Sequence, residues 1–238
     1  MKEFFKPWVL AILLVFLKFH LGFSHMLWIE EEKGEFKIFW GHKGKVEPYN
    51  PERIKEIKVF DERERSLKFN KKTEDKALVL LVNRKPSIII ASMEEVYLVN
   101  TSEGRKRMNK IEAQKQGLQV TESFMVIQAT KGIFSDTPIL KKPLGIRLEP
   151  LFMDNPFEKR DLIEVKILYE GKPVEGVSVL NAFHKELAKT DSQGMVKLKV
   201  EDLKLKEGYY TLVTSYKVKI SDPKADYIWL ITSLTWQK

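Results

Sequence analysis

The chain has 238 residues, 43% hydrophobic and 31% charged, with no cysteine and a formal net charge of +8. These proportions exclude a disordered tail and a multi-span membrane protein. Without cysteine there is no disulfide framework, thiolate zinc site, iron–sulfur cluster or cysteine nucleophile, so any metal must be held by nitrogen and oxygen.

Residues 1–24 are read as a signal peptide. Lys2 and Lys6 precede an unbroken apolar run from Trp8 to Leu17. Ten residues are too few to cross a bilayer, which needs about 20, but suit the apolar region of a leader. Gly22 and Ser24 supply small residues three and one before a cut that would leave His25 as the new N-terminus. Beyond it, lysine and glutamate are mixed along the chain. No basic stripe carries interleaved aromatics, which argues against nucleic acid as a partner.

After residue 25 the pattern is that of short strands. Phe36-Ile38-Trp40, Ile57-Val59, Leu67-Phe69, Ala77 to Val82, Ser87 to Ala91, Val96 to Val99 and Leu118 to Ala129 are alternating or continuous apolar runs. Asn50-Pro51 reads as a cap followed by proline at the first helical position. Residues 101–117 are polar except for Met108 and Ile111 and are read as an excursion or a loose helical turn. Pro138, Pro143, Gly145 and Pro150 then punctuate a boundary. Beyond it come strands at Leu162 to Tyr169, Val177 to Phe183, Val196 to Val200, Tyr209 to Lys219 and Tyr227 to Trp236. The expected fold is therefore all-β, with two antiparallel β-sandwich-like domains at 25–140 and 146–238.

The scarce reactive side chain is histidine. A cut after Ser24 leaves His25, His42 and His184. An N-terminal histidine offers its α-amine and its ring Nδ1, which close a six-membered chelate on one ion. Their reference pKa values, about 7.7–8 and about 6.5, let both deprotonate at mild pH. His42, between Gly41 and Gly44 after the first predicted strand, is its natural partner, since glycines let a loop bend closely around a ligand. This nitrogen-rich set suits nickel or copper, with cobalt and zinc also admissible. His184 is read as a solvent-facing residue at a strand end, and Glu30 to Glu32 as a solvated run. No phosphate-binding glycine loop, HExxH or GxSxG is present. The many carboxylates form no distinguishable acid/base pair, so the function expected is binding rather than catalysis.

Two resemblances extend these readings. The order GKPVEGVSV, TDSQGMVKLKV and EGYYTLV over about residues 160–236 resembles the transthyretin-like, or carboxypeptidase-regulatory-like, module. That likeness implies a transthyretin/Ig-like sandwich and says little about activity. Over residues 25–236, the elements His25-Met26-Leu27-Trp28, Trp40-Gly41-His42, Glu47-Pro48-Tyr49-Asn50-Pro51-Glu52-Arg53 and Ala225-Asp226-Tyr227 resemble a family of exported bacterial proteins. That family, otherwise of unknown function, is often labelled as nickel transport accessory proteins and sometimes lies beside cobalt and nickel uptake genes. The resemblance implies a periplasmic or cell-envelope location, nickel or cobalt as the bound ion, His25 and His42 as metal ligands, and a membrane metal transporter as partner. Two departures stand out. Asn50 replaces an aspartate, and Ser215-Tyr216-Lys217 lacks a histidine common in relatives. The rival expectations are a metal-free envelope interaction or carbohydrate-binding module, and a copper oxygenase built on the same N-terminal chelate.

Overall fold

The structure, a computed structural model, describes residues 25–42, 44–158 and 161–238. The expected leader lies outside the described residues. Strands dominate, as the short apolar runs predict. β1 (Met26–Glu32) and β2 (Glu35–His42) form a hairpin, and β3 (Lys45–Val46) folds back on the end of β2. A 3-10 turn at Pro51–Arg53 starts where Asn50-Pro51 predicts it. The Asn50 side chain there accepts a hydrogen bond from the Glu52 backbone N–H at 3.0 Å. Then follow β4 (Ile54–Phe60), β5 (Phe69–Glu74), β6 (Ala77–Val82), β7 (Ile88–Met93), β8 (Val96–Thr101) and β9 (Gly104–Lys106). The polar excursion contains α1 (Lys110–Lys115), opened by a reciprocal capping box between Asn109 and Glu112.

The long strand β10 (Val120–Ile133) leads into the proline-marked stretch, which holds a 3-10 turn at Pro138–Lys141. Beyond it lie β11 (Leu148–Phe152), β12 (Leu162–Tyr169), β13 (Lys172–Pro173), β14 (Ser178–Asn181) and β15 (Glu186–Lys189). The chain continues through β16 (Met195–Lys199) and β17 (Lys204–Lys206). It closes with β18 (Tyr209–Asp222) and β19 (Ala225–Gln237).

Among the described residues these strands make three sheets. One has five strands, in the order β1-β2-β6-β5 with β3 on β2. One has ten, along β15-β14-β18-β19-β10-β7-β4 with β17, β8 and β9 at its sides. The third has four, with β12 between β11 and both β13 and β16. β10 and β19 run parallel, from Phe124 opposite Tyr227 to Ile133 opposite Trp236. Parallel neighbours need a long crossover, and here everything from the proline-marked stretch to β18 supplies it. The ten-stranded sheet therefore runs across the 140–146 stretch and takes strands from both sides of it.

Side-chain alternation sorts the core into layers. Ile88 and Ile90 of β7 join one cluster with Ile163, Val165 and Ile167 of β12, against the four-stranded sheet. Ile89 and Ala91, on the other face of β7, join Phe36, Ile38, Leu78 and Leu80 of the five-stranded sheet. The large sheet is thus the middle of a sandwich with a smaller sheet on each face.

β1 is buried on both sides. Leu27 and Ile29 belong to the cluster with Phe36 and Ile38, whereas Met26 and Trp28 pack against Phe124, Val126, Trp229 and Ile231 of the large sheet. All four side chains are 1% exposed, and each such burial is worth about 1.5–3 kcal/mol relative to exposure. The position of His25, directly ahead of β1, is set by this anchor.

Candidate functional site

His42 lies beside both His25 and His184, and each of the three is delivered by a different local device. The His25 carbonyl accepts a 2.7 Å hydrogen bond from Gln128 Nε2 on β10, which fixes the residue at the mouth of β1. Its ring lies flat on the Trp40 indole, with centroids 3.9 Å apart and planes 9° from parallel. Its Nε2 is 2.7 Å from Glu47 Oε2, so this edge of the ring is engaged by a carboxylate.

Glu47 arrives there because the chain doubles back sharply after β2. Gly41 lies opposite Val46, and a Cβ at Gly41 would fall 1.9 Å from the Lys45 carbonyl oxygen. Only glycine permits that approach. The Glu47 N–H then donates to the Trp40 carbonyl at 2.9 Å, which seats its side chain beside the stacked His25 ring. Tyr49 locks the next residues. Its hydroxyl donates to the Ile38 carbonyl at 2.8 Å and accepts from the Leu78 N–H at 3.2 Å. Burial pushes its pKa up to about 12, so it stays a neutral phenol.

His42 ends β2. Its ring centroid is 5.8 Å from that of His25 and 4.6 Å from that of His184, the latter pair stacked at 23°. His184 Nε2 and His42 Nδ1 are 3.0 Å apart, a hydrogen bond whose donor depends on the tautomers. His184 comes from the turn between β14 and β15. There the Asn181 Oδ1 accepts from the N–H groups of Phe183 and Lys185, both at 3.0 Å, and the Asn181 carbonyl accepts from His184 N–H at 3.0 Å. This turn holds His184 at φ 65°, in the left-handed region that histidine enters more readily than most residues with a Cβ.

The structure thus brings the two expected ligands, His25 and His42, into one neighbourhood. It adds three residues that sequence reasoning used otherwise. Trp40 is a platform for His25 as well as a strand residue. Glu47 is a partner of the His25 ring, and its place in the Glu47-Pro48-Tyr49 element was the one available signal. His184 is half-buried against His42 rather than facing solvent at a strand end. Nothing in the local sequence announces that, because the contact spans 142 residues. Glu30 is also not solvated. It is 2% exposed, accepts from Trp28 Nε1 at 2.9 Å and pairs with Lys206 at 2.5 Å.

Chemically, the arrangement offers imidazole nitrogens in reach of one another, one of them backed by a carboxylate. Among the described residues no group of three or more His, Asp or Glu side chains is already gathered as a metal cage. An ion would have to draw the rings together. No helix among the described residues is long and apolar enough to cross a membrane.

No curated protein matches the chain. Among solved structures, native alpha-2-macroglobulin from Escherichia coli, in a fragment spanning domains MG0-NIE-MG1, aligns with 87% of this chain and 96% of its own. The identity is 10% and the TM-score 0.21, too low to carry a structural argument. The family model of a domain of unknown function, DUF4198, matches residues 22–218, and the chain belongs to that family.

Proposed function

We propose that this protein binds a divalent transition-metal ion, nickel or cobalt, outside the cytoplasm in support of its uptake through a membrane metal transporter. Removal of residues 1–24 would free the His25 α-amine. That amine and the His25 ring would chelate the ion, with the His42 ring as a further ligand and water or an oxygen donor completing the set. The C-terminal half, read as a transthyretin-like sandwich, serves as the scaffold against which the N-terminal strand is anchored.

One observation supports this reading above the others. Glu47 engages Nε2 of His25, and the other ring nitrogen, Nδ1, is the one that a chelate with the residue's own amine requires. A carboxylate on the far nitrogen of a ligating imidazole fixes the tautomer and raises ligand basicity, a recurring feature of metal sites. The fixed mouth of β1 and the 5.8 Å separation of the His25 and His42 rings supply the rest.

The test uses the chain beginning at His25, titrated with Ni²⁺, Co²⁺ and Cu²⁺, beside a version with one extra residue ahead of His25. The expected result is tight binding by the first and a loss of at least about 100-fold by the second, since one chelate nitrogen becomes an amide. Equal binding by both removes the chelate. Absence of binding by both leaves a metal-free envelope interaction or carbohydrate-binding module.

A further inference from the structure

We infer that His184 is a third imidazole ligand of the same site, so that a bound ion ties the β14–β15 turn of the ten-stranded sheet to the β2–β3 turn of the five-stranded sheet. This rests on the proposed metal-binding function and adds to it a ligand that neither the motif order nor the family membership supplies.

The distances carry it. With metal–nitrogen bonds of about 2.1 Å, two neighbouring ligand nitrogens lie about 2.9–3.4 Å apart for bond angles of about 90–110°. His42 Nδ1 and His184 Nε2 stand 3.0 Å apart, within that range. The same bonds put each ring centroid about 3.2 Å from the ion, so centroids of adjacent imidazoles are about 4.5–5.2 Å apart and those at wider angles about 6 Å. The pairs here measure 4.6 Å for His42 with His184 and 5.8 Å for His25 with His42. For one ion to take all three, the rings must turn their nitrogens toward a common point.

The turn that presents His184 is built rather than loose. Asn181 holds it with three hydrogen bonds, and the left-handed φ of His184 costs about 1–2 kcal/mol for a residue with a Cβ. Glycine or asparagine would fill that conformation with less strain. From that turn the imidazole reaches His42.

With the His25 amine, three imidazoles give four nitrogen donors. Such a set favours tetragonal Ni²⁺ and Cu²⁺ over Co²⁺.

The experiment compares the chain beginning at His25, which contains every described strand, with His184→Asn and His42→Ala variants. Asparagine tolerates the left-handed turn, so His184→Asn keeps the fold, and a superimposable far-ultraviolet spectrum checks it. Each protein is titrated with Ni²⁺. The number of coordinated imidazoles on Cu²⁺ is counted by pulsed electron paramagnetic resonance. The expected result is about a 30-fold or greater weakening of Ni²⁺ binding in His184→Asn and a fall from three imidazoles to two. Unchanged affinity and unchanged imidazole count in His184→Asn, with weakened binding in His42→Ala, overturns the third ligand and leaves the proposed function standing. No metal binding by the unsubstituted chain overturns both.

Discussion

The buried pair Lys131–Glu149 gives the sharpest test of how the two halves are joined. Lys131, on β10, and Glu149, on β11, are 0% and 1% exposed, and their Nζ and Oε1 atoms are 2.9 Å apart. Glu149 has further partners. Its two oxygens accept from Leu144 N–H at 2.8 and 2.9 Å, and Oε2 accepts from Gly145 and Ile146 N–H at 3.1 and 3.2 Å. One carboxylate therefore neutralises the lysine and closes the loop that connects the halves. Burial holds the Lys131 ammonium below the ordinary lysine value, against the pull of Glu149.

The consequence is an asymmetry between the two single substitutions. Glu149→Leu leaves a buried ammonium without its counter-charge, at a cost of about 3–5 kcal/mol. It also strands three backbone N–H groups, adding about 1–3 kcal/mol after local relaxation. Lys131→Met removes a desolvated cation but leaves the carboxylate its three backbone donors, so its cost is smaller, about 2–3 kcal/mol. The double substitution removes both charges and retains only the stranded N–H penalty, which makes it more stable than Glu149→Leu alone. Urea unfolding of the chain beginning at His25, analysed from midpoint and slope, reads all three. A Lys131→Met protein less stable than Glu149→Leu, or a double variant whose cost equals the sum of the singles, would refute the division of labour assigned to Glu149.

Further expectations concern the site and its supports. Glu47→Gln keeps a hydrogen-bonding partner for His25 but replaces the carboxylate by a neutral amide, and Ni²⁺ affinity should fall about 10–100-fold with stability unchanged, as read by calorimetric titration and thermal melting. Gly41→Ala places a methyl group 1.9 Å from the Lys45 carbonyl oxygen, so the β2–β3 reversal must open. A loss of at least about 1–3 kcal/mol in urea unfolding, together with loss of metal binding, is expected. Asp226 accepts from Lys110 at 2.5 Å and Ser123 at 2.5 Å, and Lys110 first, then Ser123, holds its carboxyl below the usual range. Its contribution is therefore complete above the ordinary aspartate value and is lost as pH falls below about 4. The stability gap between the unsubstituted chain and Asp226→Asn should be fully open at pH 7 and narrow progressively as pH falls below about 4, and a gap that does not change with pH would count against the pairing.

Leu162 to Tyr169 has the bounds its period-two alternation predicts, Ala77 to Val82 has those of its continuous apolar run, and the Asn50-Pro51 cap starts its 3-10 turn. β1, whose Met26-Leu27-Trp28-Ile29 run is buried on both faces, and β11, all five of whose residues are buried, were not among the expected strands. At the site, the expected cut before His25, the two glycines around His42 and the family resemblance together pointed to His25 and His42, whose rings the fold sets 5.8 Å apart. Composition alone likewise excluded thiolate chemistry, because a missing side chain can donate nothing.

What no local pattern contains is the return of β19 alongside β10 and the turn that sets His184 against His42. Both join residues about a hundred or more positions apart, and their energetics reside in the core that forms between them. A histidine's chemistry is written in its own ring, but its partners are chosen by the packing of strands far apart in the chain.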